Sequence, residues 1–229
     1  MRNTSRPMAP AGGSARCQQG YSLIELSVAL IVVGLLVGSA LTARAMLHSA
    51  KVKSLAADFT EVRGAINAYQ DKFRALPGDD PQAGRRLPGA IVTAGTGAGN
   101  GVIDGRWNST SIADDSFVFW QHLRLGGFLP GSVDPADGAY RPRNSEGGIV
   151  GVSSATAGLA QVAGLRASFQ VCSSAIPSAL AKELDVMIDD GEPGTGSLRA
   201  VADGAPLGAA PFFAATMDDA LTYTVCLGF

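Results

Sequence analysis

The run YSLIELSVALIVVGLLVGSALTA, from Tyr21 to Ala43, is 23 residues long, and Glu25 is the only one of them charged at neutral pH. As a helix rising about 1.5 Å per residue it reaches roughly 34 Å, enough to cross a hydrocarbon core of about 30 Å. A core helix of a water-soluble domain is rarely apolar on every side for so long, so this run is expected to span a membrane. A carboxylate inside such a segment costs about 2.5–3.5 kcal/mol at mid-helix and less near an end. Snorkelling to the headgroups explains why Glu25 is tolerated. It does not explain why a carboxylate stands there.

The flanks narrow the options. Residues 1–20 (MRNTSRPMAPAGGSARCQQG) carry Arg2, Arg6 and Arg16 and no acidic residue. The positive-inside rule therefore keeps this end in the cytoplasm. A secretory signal also pairs a basic start with an apolar stretch, usually of about 7–15 residues and followed by a small-x-small cleavage site. Ala43-Arg44-Ala45 fits such a site, so that alternative stays open. The length of the run and the carboxylate near its start stand against it.

Gly20, the aromatic Tyr21, Glu25 four residues later and the apolar helix together resemble the processing signal of type IV prepilins and type II secretion pseudopilins. Tyr21 stands where that family most often has Phe. The resemblance implies that residues 1–20 are a leader, cut between Gly20 and Tyr21 by the prepilin peptidase, and that the new amino group of Tyr21 is then methylated. It implies a single-pass protein of the bacterial inner membrane, N-terminus cytoplasmic and C-terminal domain periplasmic, that passes into a pilus or pseudopilus. The implied partners are the peptidase, other pilin or pseudopilin subunits, an inner-membrane assembly platform and lipid. Glu25 then has a physical role. After cleavage Tyr21 bears an ammonium at the start of a helix in lipid, and the Glu25 of a neighbouring subunit can pair with it. A displaced subunit would leave both charges unpaired, so the pair favours one axial register. Glu25 is read as an assembly residue.

Beyond the membrane the helix is expected to continue. Val52, Leu55, Phe59, Val62, Ile66, Tyr69 and Phe73 recur by three and four, an apolar stripe on one face. Lys51, Lys53, Asp58, Glu61, Arg63, Asp71 and Lys72 fill the rest, and only Gly64 is unfavourable, by about 1 kcal/mol relative to Ala. Pro77-Gly78 should stop the helix near Leu76. Residues 21–47 then form the transmembrane half and 48–76 the amphipathic half. A coiled coil is the weaker alternative for the stripe.

Residues 77–229 are of ordinary size for one domain. Removal of the three leader arginines leaves 15 basic residues against 20 acidic ones, a formal charge near −5, which gives no footprint for nucleic acid. The Gly-, Asp- and Pro-rich stretch 77–115 reads as a long loop region. Its GTGAGNGVIDG (95–105) has neither the G-x-x-x-x-G-K-S/T spacing nor a G-x-G-x-x-G frame, and reads as a flexible loop, not a phosphate cradle. Asn108-Ser109-Thr110 fits the glycosylation triplet, a pattern common by chance.

Later segments alternate. Ser116–Leu125 reads as a short helix bearing Phe117, Trp120 and Leu123, closed by Gly126-Gly127. Arg166–Cys172, Ser197–Ala202 and Leu221–Leu227 read as strands, and Pro177 is placed to begin a helix running to about Ile188, ended by Asp189-Asp190-Gly191. The expected fold is α+β and pilin-like: a long N-terminal helix packed on a mainly antiparallel sheet.

The segments AYQDKFRALPGDDPQA (68–83), FWQHL (119–123) and LDVMIDDGEPGTGSLRA (184–200) resemble those of a subgroup of large pilin-like proteins. Packing and turns explain them without chemistry, since Asp-Gly and Pro-Gly set loop geometry. Asp189 and Asp190, with Asp79, Asp80 and Glu192, are weak calcium candidates, as in some pseudopilins, but no EF-hand spacing is present. No cofactor is implied. His48 and His122 are the only histidines and belong to no H-E-x-x-H or G-x-S-x-G frame, so the chain reads as no enzyme, with His122 a packed or surface residue. The other functional class is a membrane-anchored periplasmic ligand-binding or adhesin domain that does not polymerise.

Of the three cysteines, Cys17 lies in the leader that the resemblance removes. Cys172 and Cys226 remain, an even pair on the oxidising side of the membrane. Pilins close a C-terminal loop with a disulfide, and the resemblance implies one here. Two buried free thiols are the alternative.

Overall fold

The computed structural model describes residues 20–93, 98–156 and 158–229. Residues 1–19, with Cys17, and residues 94–97 of the glycine-rich loop lie outside the described residues. Helix α1 (Leu23–Phe73) is 51 residues long. The chain divides into two compact units, Met1–Ala45 and Met46–Phe229, and α1 contributes to both.

In the second unit α1 buries the stripe that the sequence spaces by three and four. Val52, Leu55, Phe59, Val62, Ile66 and Tyr69 are all buried, and Phe73 is half-buried. Each large apolar side chain so buried is worth about 1.5–3 kcal/mol. The helix stops at Phe73, three residues before Leu76. Arg74 takes a left-handed conformation (φ 53°) while its N–H still reaches the Gln70 carbonyl at 2.8 Å, so the chain turns off before Pro77 is reached.

Among the described residues of the loop region from 77 to 114, the four-residue helix α2 (Ala83–Arg86) is the only helix or strand. Helix α3 (Asp115–Leu125) follows, with every side chain from Asp115 to Leu123 buried. Strands β1 (Val150–Ser154), β2 (Phe169–Pro177), β3 (Leu198–Ala202) and β4 (Thr222–Gly228) form one antiparallel sheet in the order β1-β2-β4-β3. Helix α4 (Ser178–Ile188) leaves the end of β2, with Pro177 at its N-cap position. The α1 stripe, the aromatic residues of α3 and the inward residues of the sheet make one core. The α+β architecture, a long helix packed on an antiparallel sheet, is as expected.

Two strands differ from the sequence reading. β1 has no clear strand signal in the sequence, because VGVSS is short and three of its five residues are glycine or serine. Its Gly151 is required by packing, since a Cβ there would collide with the Trp107 carbonyl. β2 begins three residues after Arg166 and runs on to Pro177. Its serines look like strand breakers, yet Ser173 Oγ accepts from Asn144 Nδ2 at 2.8 Å and Ser174 Oγ accepts from the Ile149 N–H at 2.9 Å. The register shifts between Ser173 and Ile176 around Ala175 (φ 58°), a bulge that absorbs one extra residue.

Candidate functional site

The first unit offers one feature, the start of α1. Gly20 and Tyr21 precede the helix, and the Ser22 carbonyl accepts its first hydrogen bond, from the Leu26 N–H at 3.1 Å. Tyr21 is 81 % exposed, and the twelve large apolar side chains from Leu23 to Leu41 are all exposed too. A helix with no buried face has nothing in its own unit to pack against. The hydroxyls along it are satisfied internally: Ser27 donates to the Ile24 carbonyl at 2.8 Å, Ser39 to Leu36 at 3.0 Å and Thr42 to Gly38 at 3.1 Å. Glu25 lies in the first turn, where the helix dipole favours an anion. Among the described residues it has no hydrogen-bond or ion-pair partner. It is the one polar side chain of the helix from Leu23 to Ala43 left without a partner.

The second unit shows what the resembling segments do. At the end of α1, Asp80 collects the Tyr69 hydroxyl at 2.9 Å, the Gln82 N–H at 2.8 Å and Arg86 at 2.9 Å. Burial, together with the Asp80 hydrogen bond, pushes the Tyr69 phenol far up, so it stays a donor. Asp79 accepts from the backbone N–H groups of Gly99, of Asn100 at 3.2 Å and of Gly101 at 2.7 Å. The part of the glycine-rich loop from 99 to 101 is thus pinned by a carboxylate. His122 is fully buried: its Nδ1 accepts from the Gly78 N–H at 2.9 Å, and its Nε2 lies 2.7 Å from the Ile91 carbonyl. Burial pushes the imidazole pKa down, which keeps the ring neutral with its proton on Nε2. Gln121 beside it accepts from the Ile91 N–H at 2.8 Å. These residues form a clamp between α1, the loop region and α3, with both ring nitrogens of His122 engaged.

The calcium candidates have other duties. Asp189 Oδ2 accepts from the N–H groups of Ser197 at 2.5 Å and Leu198 at 2.9 Å, and Asp190 from Glu192 N–H at 3.0 Å and Thr195 Oγ1 at 2.7 Å. Among the described residues no group of three or more His, Cys, Asp or Glu is placed to hold a metal. Asp185, just before them, was overlooked in the sequence. It is fully buried with neither carboxylate oxygen hydrogen-bonded, and burial, with the charges of Asp190, Asp189 and Glu192, pushes it up to about 7. The signal was present: Leu180, Ala181 and Leu184 mark the buried face of α4, and 185 falls on it. Cys172 and Cys226 face each other in the β2–β4 register and are joined by a disulfide.

Residues 15–41 match the family model described as the prokaryotic N-terminal methylation motif. The chain carries a prepilin-type signal. No curated protein and no solved structure matches it. The motif implies processing by prepilin peptidase and assembly with other pilin-type subunits, and with the apolar helix it fits membrane anchoring.

Proposed function

We propose that this chain is a structural subunit, pilin-like or pseudopilin, built into a type IV pilus or a type II secretion pseudopilus. Prepilin peptidase cuts it between Gly20 and Tyr21 on the cytoplasmic face, and the Tyr21 amine is methylated. The segment 21–47 holds it in the inner membrane, and the domain from 77 onward lies in the periplasm. Its function is assembly, with no catalysis by its own side chains.

The observation that carries this reading is that Glu25 has no partner among the described residues. The hydroxyls of the apolar helix are bonded to its own backbone, so the carboxylate alone requires a partner from outside. The matched motif supports an amino terminus at Tyr21, one turn away. A neighbouring subunit then offers the charge that Glu25 lacks, and each joint in the filament places one ammonium against one carboxylate in low dielectric. Truncating either partner leaves the other charge buried and alone.

The test is Glu25→Ala. Insertion and cleavage should persist, because the apolar run and Gly20 remain. Recovery in sheared filaments or cross-linked assemblies, relative to total membrane protein, should fall about tenfold or more, as expected for loss of a charge pair. Equal incorporation of variant and wild type would contradict the role given to Glu25.

A further inference from the structure

A cleft of about 220 Å³ in the second unit opens between α1, the α3 helix and the segments that follow it, with Asp58 and Glu61 on one wall and Arg124 and Arg143 among its other lining residues. We propose that it binds a free α-amino acid with an apolar side chain, the ammonium at Asp58 and Glu61 and the carboxylate at Arg124 and Arg143.

Asp58 follows from the α1 stripe. It precedes Phe59 and lies one turn before Val62, at the edge of the buried face and not on the outer one. Its Oδ2 is buried without a hydrogen-bond partner, while Glu61 adds a second negative charge one turn further on. Burial and the Glu61 charge push its carboxyl up to about 6, the response of an acid kept from water without a counter-charge. An ammonium placed there would answer both carboxylates.

Arg124 is held as a fixture. Its Nη1 donates to the Ser132 carbonyl at 2.7 Å and the Tyr140 carbonyl at 2.5 Å, and the guanidinium lies over the rings of Trp120 and Tyr140, 5.8 and 5.3 Å from their centroids. Both acceptors are neutral, so they orient the cation without pairing it, and the exposed Asp137, whose charge reaches it, makes no ion pair with it within 4.0 Å. Its Nε is buried and unpartnered. Among the described residues none of Asp58, Glu61, Arg124 and Arg143 joins an ion pair within 4.0 Å. Opposite charges therefore line one cleft without meeting.

That arrangement selects its ligand. A neutral sugar would leave both charges unanswered, and a simple amine or a simple carboxylate would answer one. A divalent cation is repelled by the two guanidiniums. The volume lies below the roughly 300–1,000 Å³ of sites for drug-sized ligands, and Val62, Trp120 and Val150 supply apolar wall for a side chain. An apolar zwitterion satisfies all three features. This inference does not rest on filament assembly.

The test uses the full chain in detergent micelles, with L-leucine and L-phenylalanine as probes in titration calorimetry. Isoamylamine and 4-methylpentanoate serve as half-ligands of similar bulk. At least one amino acid should bind saturably at millimolar or lower concentration, and both half-ligands should bind about tenfold or more weakly. Asp58→Asn should weaken the amino acid by about tenfold or more while unfolding at the wild-type temperature or above, because it removes an unpaired buried charge. No saturable binding of either probe would overturn the proposal, leaving the cleft merely hydrated. So would equal binding of the half-ligands, or an Asp58→Asn variant that binds as the wild type does.

Discussion

The N–H of Gly78 donates to Nδ1 of His122 across 2.9 Å, tying the turn after α1 to the last turn of the buried helix α3. The bond requires an unprotonated Nδ1, and the Ile91 carbonyl at 2.7 Å requires the proton on Nε2. Gly78 itself cannot be replaced cheaply, because its φ is 90° and a Cβ would strike the Asp115 carbonyl. Burial holds the imidazole pKa below 6.5, with the ring neutral. The unfolded chain therefore binds more protons than the folded one as the pH falls below about 6.5, and this residue's contribution to stability is lost in acid. His122→Ala should cost about 2–4 kcal/mol at pH 7.5, since it strands the buried Gly78 N–H, at about 1–3 kcal/mol, and the half-buried Ile91 carbonyl, at somewhat less. The difference from wild type should shrink towards pH 5. Thermal unfolding of the full chain in micelles over that range measures it.

Asp185 responds with the opposite sign. Its folded pKa, raised to about 7, lies above the unfolded value near 3.8. The folded carboxyl binds the extra proton, so stability is fully present below about pH 4 and declines as the pH rises through about 7. Asp185→Asn should leave stability near pH 4 unchanged within error. At pH 8 it should raise it by about 1–3 kcal/mol, the cost of the unsatisfied buried group it relieves. A variant that is destabilised at pH 8 would mean that the carboxylate has a partner essential to the fold.

The spacing of three and four from Val52 to Phe73 was legible because a helix stripe writes itself into sequence, and the start of α4 was legible because Pro177 fixes it. β1 was not legible. Its five residues carry one glycine and two serines, and what makes them a strand is pairing with β2, fifteen or more residues away. The end of α1, expected near Leu76 from Pro77-Gly78, falls at Phe73 because Arg74 has already turned the chain. At the site, Glu25 stands out in any apolar run, whereas the clamp of Tyr69, Asp80, Arg86 and His122 is drawn from four separated segments. No local pattern joins such residues before the chain has folded.

The disulfide closes the last strand onto β2 and encloses α4 and β3, at a sequence separation of 54. In the chain-entropy model a loop of that size is worth about 4 kcal/mol. Cys172→Ala with Cys226→Ala should lower stability by about 2–4 kcal/mol, and peptides bearing the two cysteines should migrate together in non-reduced digests. Two freely alkylated thiols in denatured, unreduced protein would contradict the pairing.

The central claim is that this chain enters its assembly as a processed prepilin, and its mature amino terminus tests that most directly. Intact mass and N-terminal sequencing of protein extracted from membranes should find a chain that begins at N-methylated Tyr21 and lacks residues 1–20. A mature chain beginning at Met1, or at Met46 after cleavage by a signal peptidase, would contradict the account.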